Sequence, residues 1–578
     1  MRWDSLTLLP LAFFAVSTTV EAQKPEPRVD PVLLSANPFA AQLGTSSVIT
    51  IRGRGLKGAR AAFAPGAPLR MTTEGMDVEP PVEGARNRTP VDLVRLRVEV
   101  PSDARPGRYA VRLVTANGVS NTLTLHVTAG PVIAEPDGSH EKPESAVKVA
   151  GIPVVFAGRL ARRGEADYYA FPAKAGQLVT FELLSGLPQV AAGGSAATIA
   201  NFDPSLTIFD TGTWFDSKRL KRIAYNDEPV WVVGKPTDAH MVHRFERDGT
   251  YLLRIEAFAG QGGPDYSYQL RMTPGDIAQD LPAKGEGWDE RGYGRTLSAN
   301  RLNELAARGG AKQDKSSIET YRAASVPAKE APLFKLPGNI DGALTQPGEI
   351  HRARFEVDSP RDIAIEVQTP SIAPPFFNPI VRLLDAAGAE VATSVMAGRG
   401  ACSGALSKSI QTKTIIPLRE TGTYTVEILD ALAETPVPDS RYRVQVRPQV
   451  PHVGQVRVDL DHLNLSPDEA KPIRVTFDRE EDYRGEIAVI AEGLPSGVNA
   501  VVGADYEADT EAEALRTGKR ERYTPRNERT VLVLAAASDA AATSEPVMAR
   551  VVVRPLSGGK LGGVLATKSF PIMVLPKP

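Results

Sequence analysis

The sharpest chemical signature in this chain is Ile208-Phe209-Asp210-Thr211-Gly212-Thr213, a carboxylate set between apolar residues and a Thr-Gly-Thr stretch. A carboxylate so placed serves acid–base hydrolysis only when a second lies close enough to share its proton. The nearest counterpart, Asp385-Ala386-Ala387-Gly388, lacks the Thr and carries its Gly one position later. Asp and Gly are also turn residues, because Asp hydrogen-bonds nearby backbone and Gly reaches positive φ without strain. Both motifs are read as hairpin turns, and no catalytic residue is assigned. His240 and His243 are three apart, ahead of the Asp248-Gly249 turn. On a strand they face opposite ways, and a metal needs a third ligand. His351, His452 and His462 are isolated, so no metal ligand is assigned. The single cysteine, Cys402, lies in Gly400-Ala401-Cys402-Ser403-Gly404. It can form no disulfide within the chain and has no nearby His to activate it. Trp214, Phe215, Tyr225 and Trp231 fall within one stretch and could stack on a sugar, since ring faces offer apolar area at low entropy cost. Their spacing does not put them on one exposed face, so a core or loop-propping role is preferred and the binding residues stay unknown. Glu135, Asp137 and Glu141 make an acidic stretch, but calcium takes six or more oxygens and few are visible there. There is no His-Glu-x-x-His, no Gly-x-Ser-x-Gly and no phosphate loop. Asn87-Arg88-Thr89 matches a glycosylation sequon.

These residues must be positioned by a chain of 578 residues with 67 basic and 69 acidic side chains, a net charge of −2. That balance gives no long-range attraction to nucleic acid or acidic lipid, and no nucleic-acid partner is expected. Residues 1–22 read as a secretory signal peptide: Arg2, a short apolar run from Leu6 to Val16, then Val20-Glu21-Ala22. No later stretch is long and apolar enough for a membrane helix, so no transmembrane segment is expected beyond the signal peptide.

Glycine (49) and proline (47) are scattered as punctuation between short valine-, leucine- and threonine-rich runs, the pattern of an all-β chain. One device recurs three times: Pro106-Gly107-Arg108-Tyr109, Asp248-Gly249-Thr250-Tyr251 and Thr421-Gly422-Thr423-Tyr424, each opening a strand. In each, Tyr and two aliphatics fall at i, i+2 and i+4 and share a face. The glycine is expected to supply the turn conformation. The fold class is therefore all-β, tandem β-sandwiches with one short linker helix. The expected units are 30–129, 144–273, 334–448 and 453–576. The linker at 274–333 has helix composition over 298–308, where Leu302, Leu305 and Ala306 precede Gly309-Gly310. A charged stretch, 504–527, reads as a mobile loop in the last unit.

Specific residues carry family resemblances. Gly44-Thr45, Thr50-Ile51-Arg52-Gly53-Arg54-Gly55-Leu56 and Gly118-Val119-Ser120-Asn121 make the first unit resemble IPT/TIG-like immunoglobulin-type domains of exported bacterial proteins. Glu165-Ala166-Asp167-Tyr168-Tyr169-Ala170-Phe171, Asp203-Pro204-Ser205-Leu206, Asn226-Asp227 and Tyr266-Ser267-Tyr268 make the second resemble the bacterial pre-peptidase C-terminal (PPC) domain, a jelly-roll sandwich. The third repeats this plan: Gly342 answers Gly158, His351 to Phe355 answer Asp167 to Phe171, and Tyr442 answers Tyr268. It departs at His351, where the acid is missing. The last unit, with Glu492-Gly493-Leu494-Pro495 and Val531-Leu532-Val533-Leu534, resembles terminal Ig-like modules. The PPC resemblance implies that calcium could bind near Glu135, Asp137 and Glu141. Taken together, the resemblances imply a secreted, non-catalytic binding, adhesion or scaffold protein of the periplasm or cell surface. Its expected partner is an unidentified extracellular carbohydrate or protein. The alternative is an accessory or targeting subunit of an exported peptidase or other hydrolase.

Overall fold

The computed structural model describes residues 30–577 apart from 80–89, 137, 139, 186–201, 203, 212–219, 227–238, 258–259, 275–301, 303–317, 347, 370–378, 400–405, 411–412, 431–440 and 508–525. Leu302 is helical and buried; the rest of the helix expected over 298–308 lies outside the described residues, as do 1–22, Asn87, Cys402, Trp214, Phe215 and Trp231. Among the described residues no helix is long and apolar enough to cross a membrane.

The architecture is multidomain and mostly β-sandwich, consistent with tandem Ig-like and PPC-type domains. Short strands with one apolar face bury it only against another such face, and the sheets pair accordingly. In the first unit, Val32–Asn37, Ser46–Arg54, Val91–Glu99 and Arg70–Glu79 form one sheet. Ala40–Gln42, Leu123–Thr128, Gly107–Thr115 and Ala61–Phe63 form the other. Val94, Leu96 and Val98 meet Val111, Leu113 and Leu125 between them.

The second and third units share one topology. The second has Val132–Ala134, Val154–Arg159, Ser267–Pro274, Leu178–Ser185 and His240–Arg244 in its first sheet. The third has Glu319–Arg322, Gly338–Ala343, Arg441–Pro448, Arg361–Gln368 and Lys413–Leu418 in the same order. Their second sheets also correspond: Val147–Lys148, Ala166–Ala173, Gly249–Ala257, Pro204–Asp210 and Lys221–Asn226 against Leu333–Phe334, Ile350–Val357, Gly422–Asp430, Pro379–Leu384 and Glu390–Thr393. The third adds a ribbon, Val395–Arg399 with Leu406–Ile410. The gap between the first two expected units, 130–143, and the expected linker at 274–333 both supply strands. Val132–Ala134 and Glu319–Arg322 each pair in parallel with the first long strand of their unit. Polar, Pro-rich flanks hide such three- or four-residue edge strands from a periodicity reading.

In the fourth unit one sheet holds His452–Val458, Ala470–Glu480, Arg526–Ala536 and Val498–Glu507, and the other Leu463–Leu465, Ala566–Val574, Val547–Ser557 and Ile487–Glu492. The loop expected over 504–527 is entered by strand at both ends, where Asp505, Tyr506 and Glu507 pair with Thr530, Arg529 and Glu528. Pairing with a neighbouring strand here overrides the polar composition.

The three Gly-x-Tyr copies open strands as expected, and each tyrosine hydroxyl donates to the carbonyl four residues back. Tyr109 reaches Arg105 O at 2.6 Å, Tyr251 reaches Arg247 O at 2.8 Å and Tyr424 reaches Glu420 O at 2.9 Å. The role given to the glycine needs correction. Gly422 has φ +146° and Gly107 +158°, near the extended limit, while Gly249 is not at positive φ. The recurring element is the tyrosine's bond across the turn, not one glycine conformation.

Charged contacts join the units. Arg52 Nε and Ser35 Oγ donate to Asp265 Oδ1 between the first and second, at 2.9 and 2.6 Å. Arg112 meets Asp461 between the first and fourth, its Nη2 donating to Asp461 O at 2.8 Å. Arg447 and Lys413 of the third meet Glu481 of the fourth.

Candidate metal centre

On the strand Ala166–Ala173 the odd-numbered positions Asp167, Tyr169, Phe171 and Ala173 are all buried. Alternation thus puts a carboxylate in step with two aromatic core residues. Asp167 is fully buried. Opposite it, Tyr268 pairs across the sheet with Gly158, and its ring occupies the space a side chain there would fill: a Cβ on Gly158 would lie 2.5 Å from the hydroxyl. Tyr268 Oη donates to Asp167 Oδ2 at 2.7 Å and lies 2.8 Å from Tyr169 Oη.

The edge strand Val132–Ala134 delivers Glu135 to the same place. Glu135 N donates to Ala157 O, and Arg159 N donates to Glu135 Oε2 at 2.8 Å. His140 follows through a turn containing Gly138 at φ +120°. Its Nδ1 lies 3.1 Å from Gly138 O, while Nε2 contacts Glu135 Oε1 and stands 3.4 Å from Asp167 Oδ1. Asp167 Oδ1 has no hydrogen-bond donor among the described residues. Burial, then the nearby Glu135 charge, push the Asp167 carboxyl up to about 9 against the Tyr268 hydrogen bond. Burial likewise holds the Tyr169 and Tyr268 phenols well above their ordinary range.

The third unit builds the same corner with different chemistry. Tyr442 covers Gly342, where a Cβ would lie 2.3 Å from the hydroxyl. His351 replaces the acid; its Nδ1 lies 2.7 Å from Tyr442 Oη and its Nε2 2.8 Å from Glu349 Oε1. Glu349 Oε2 accepts the amides of Thr345 and Gln346. Burial pushes the Glu349 carboxyl up, but those amides and His351 outweigh it and hold it below the usual range. Every ring nitrogen there is engaged, so this corner is a closed pair.

The other sequence candidates are dispersed. Asp210 ends the strand Pro204–Asp210, is buried, and accepts from Arg247. Asp385 forms a turn, its Oδ1 accepting the Ala389 amide at 2.8 Å. His240 and His243 lie on one strand, as expected. Burial lowers the His243 pKa despite Glu246 nearby. His452 and His462 lie at the junctions, beside Glu481 and Asp461. Tyr225 is exposed under the Arg222 guanidinium, 5.7 Å from its ring centre. Of the three acids at the edge of the second unit, Glu135 enters the cluster, Glu141 pairs with Arg162, and Asp137 lies outside the described residues. His140 was not singled out from sequence, because its partners lie 5 and 27 positions away. Asp167 carried a signal: it breaks an otherwise apolar strand face.

No protein-family profile matches this chain, and no curated protein does. Among solved structures, it is similar to the pre-peptidase C-terminal domain of a collagenase from Bacillus anthracis. Identity is 15%, covering 23% of this chain and 98% of that one, at a TM-score of 0.16. It is also similar to surface layer protein SbsC, domains 1–6, at 10% identity over 95% of this chain and 55% of that one, with a TM-score of 0.14. At these scores neither likeness assigns a domain identity.

Proposed function

We propose that this chain is an exported, non-catalytic multidomain protein that acts as a binding or scaffold element at the bacterial surface or in the periplasm, built from an IPT/TIG-like unit, two PPC-like units and an Ig-like unit. The observation that carries this reading is a set of buried and half-buried charges at the contacts between units. Arg112, Asp461, Arg447, Glu481 and Lys413 all sit at contacts between units, holding modules in place. Asp210, the residue best suited by motif to hydrolysis, has its carboxylate turned to Arg247, and its counterpart Asp385 folds back on its own turn. A protein so built offers outer sheet faces and loops at fixed separations, and an extracellular carbohydrate or protein is the ligand class that fits. The test is a glycan and matrix-protein array probed with the whole mature protein, beside casein and polysaccharide turnover assays. Saturable binding without turnover supports the reading. Turnover that disappears in Asp210→Ala overturns it.

A further inference from the structure

Three side chains at the edge of the second unit share a geometry that hydrogen bonding alone does not complete. Glu135, His140 and Asp167 each have one polar atom fixed from outside. Glu135 Oε2 accepts the Arg159 amide at 2.8 Å, Asp167 Oδ2 accepts the Tyr268 hydroxyl at 2.7 Å, and His140 Nδ1 lies 3.1 Å from the Gly138 carbonyl. Their remaining atoms, Oε1, Oδ1 and Nε2, lie within 4.8 Å of one another, and Tyr268 Oη also reaches Glu135 Oε1 at 3.2 Å. Since a carbonyl only accepts, Nδ1 carries a proton, and an ion at Nε2 would take the place of the proton that Nε2 and the two carboxyl groups otherwise share. Asp167 Oδ1 is fully buried and has no hydrogen-bond partner among the described residues, so without an ion its charge must be met by a proton of its own.

We propose that this cluster is a binding site for a divalent transition cation of the zinc type, with Glu135 Oε1, His140 Nε2 and Asp167 Oδ1 as ligands. Several features point to the ion class. An imidazole beside two carboxylates suits zinc-like ions, whereas calcium calls for an all-oxygen set of six or more. His140 Nε2 and Asp167 Oδ1 stand 3.4 Å apart, and two tetrahedral ligands each about 2.1 Å from one ion are separated by about 3.4 Å. Glu135 Oε1 touches Nε2 directly and swings back about its side chain to admit the ion. The outer partners match what metal ligands ordinarily need: a carbonyl for the second imidazole nitrogen, and donors for the spare carboxylate oxygens. With the ion bound and the Asp167 proton displaced, two carboxylates and a neutral imidazole are balanced by a divalent charge. The third unit is an internal control. It keeps the glycine and the tyrosine, but among the described residues only one carboxylate, Glu349, meets His351, so it offers no group of three ligands.

The test uses the whole mature protein, untagged and stripped with chelator. Zinc is titrated calorimetrically, calcium is titrated in parallel, and cobalt(II) is added to read geometry from its visible absorption. The expected result is one zinc per chain, an intense cobalt band of the four-coordinate kind, and a thermal midpoint that climbs with zinc concentration. His140→Gln should weaken binding on the order of 100-fold or more, since loss of an outer partner alone typically costs 10–100-fold. His351→Gln should leave binding unchanged. Absence of zinc uptake by the folded wild type overturns the proposal. So does zinc binding that His140→Gln leaves intact, or a site that prefers calcium. If His140→Gln fails to fold, Glu135→Gln replaces it, and the wild-type cobalt spectrum decides alone: a weak six-coordinate band rejects the site.

Discussion

A tyrosine hydroxyl at the foot of a buried strand needs an acceptor, and three tyrosines here find the same one, the carbonyl four residues back. Removing such an oxygen loses one hydrogen bond and leaves the packing of the ring in place. Tyr251→Phe and Tyr424→Phe should each lower unfolding free energy by about 1 kcal/mol in urea titrations, and Tyr109→Phe by less, because its bond is more exposed. A loss of the same size at all three would show that burial does not set the cost. Glycines divide on similar grounds. Alanine at Gly158 or Gly342 would put a Cβ 2.5 or 2.3 Å from a tyrosine hydroxyl inside the core. Overpacking of that kind costs about 1–3 kcal/mol. At Gly249 the nearest atom would be 3.9 Å away and φ is not positive, so Gly249→Ala should be close to neutral. Thermal unfolding of the three variants separates these outcomes, and equal midpoints would remove the steric account.

Elements built from local sequence were readable in advance, and those built from distant pairing were not. The Gly-x-Tyr strands announce themselves through alternation, and the correspondence of Gly158 with Gly342 and Tyr268 with Tyr442 anticipated that the second and third units share a topology. The edge strands Val132–Ala134 and Glu319–Arg322 escaped, because three or four residues show no period. The cluster at Glu135, His140 and Asp167 escaped for the same reason: the sheet, not the chain, makes its members neighbours. The turn holding Glu481 was equally hidden. Glu481 lies in a left-handed turn residue at φ 55° and is almost fully buried, against Arg447 and Lys413. Burial pushes its carboxyl up, but the Arg447 hydrogen bonds and the two cations outweigh it and bring it down to about 2. A depressed folded-state value means the stabilisation is present above the ordinary carboxylate pKa, about 4.3, and lost as pH falls toward 2. Glu481→Gln leaves Arg447 and Lys413 short of a counter-charge and should cost about 3–5 kcal/mol at neutral pH. The gap between wild type and variant should then narrow as thermal unfolding is repeated from pH 5 to pH 2. A constant gap would mean that shape at this junction, not charge, provides the stability.

The chain as a whole closes on itself, because its first and last units touch. Asn464 in the fourth unit exchanges two hydrogen bonds with Val119 in the first, both at 2.9 Å, in the manner of an added strand partner. Val114 and Val119 pack with Met573 and Leu575 in a small buried cluster. Gly118, at φ +118°, leaves room for Asn464; a Cβ there would lie 2.3 Å from its side chain. Asp461 accepts from Arg112 and from the Thr122 amide at 2.9 Å. Burial works against its charge, but His462, Arg112 and that amide hold its carboxyl far below the usual range. Such contacts join residues more than three hundred positions apart, at a loop-closure entropy that rises only slowly with length. Removing the carboxylate with Asp461→Ala leaves the Arg112 guanidinium, 8% exposed, facing the junction without its counter-charge. A buried cation in that state draws in water, and separating the two units is the cheapest way to admit it. The core of each unit has its own residues and stays intact. The radius of gyration of Asp461→Ala from small-angle X-ray scattering should therefore rise above that of the wild type, while the far-ultraviolet circular dichroism of the β-sheets is unchanged. High salt should open the wild type much less, since a partly buried charge pair is screened less than an exposed one. A variant as compact as the wild type would show that Asn464 and the Val119–Met573 packing hold the ends together without the ion pair.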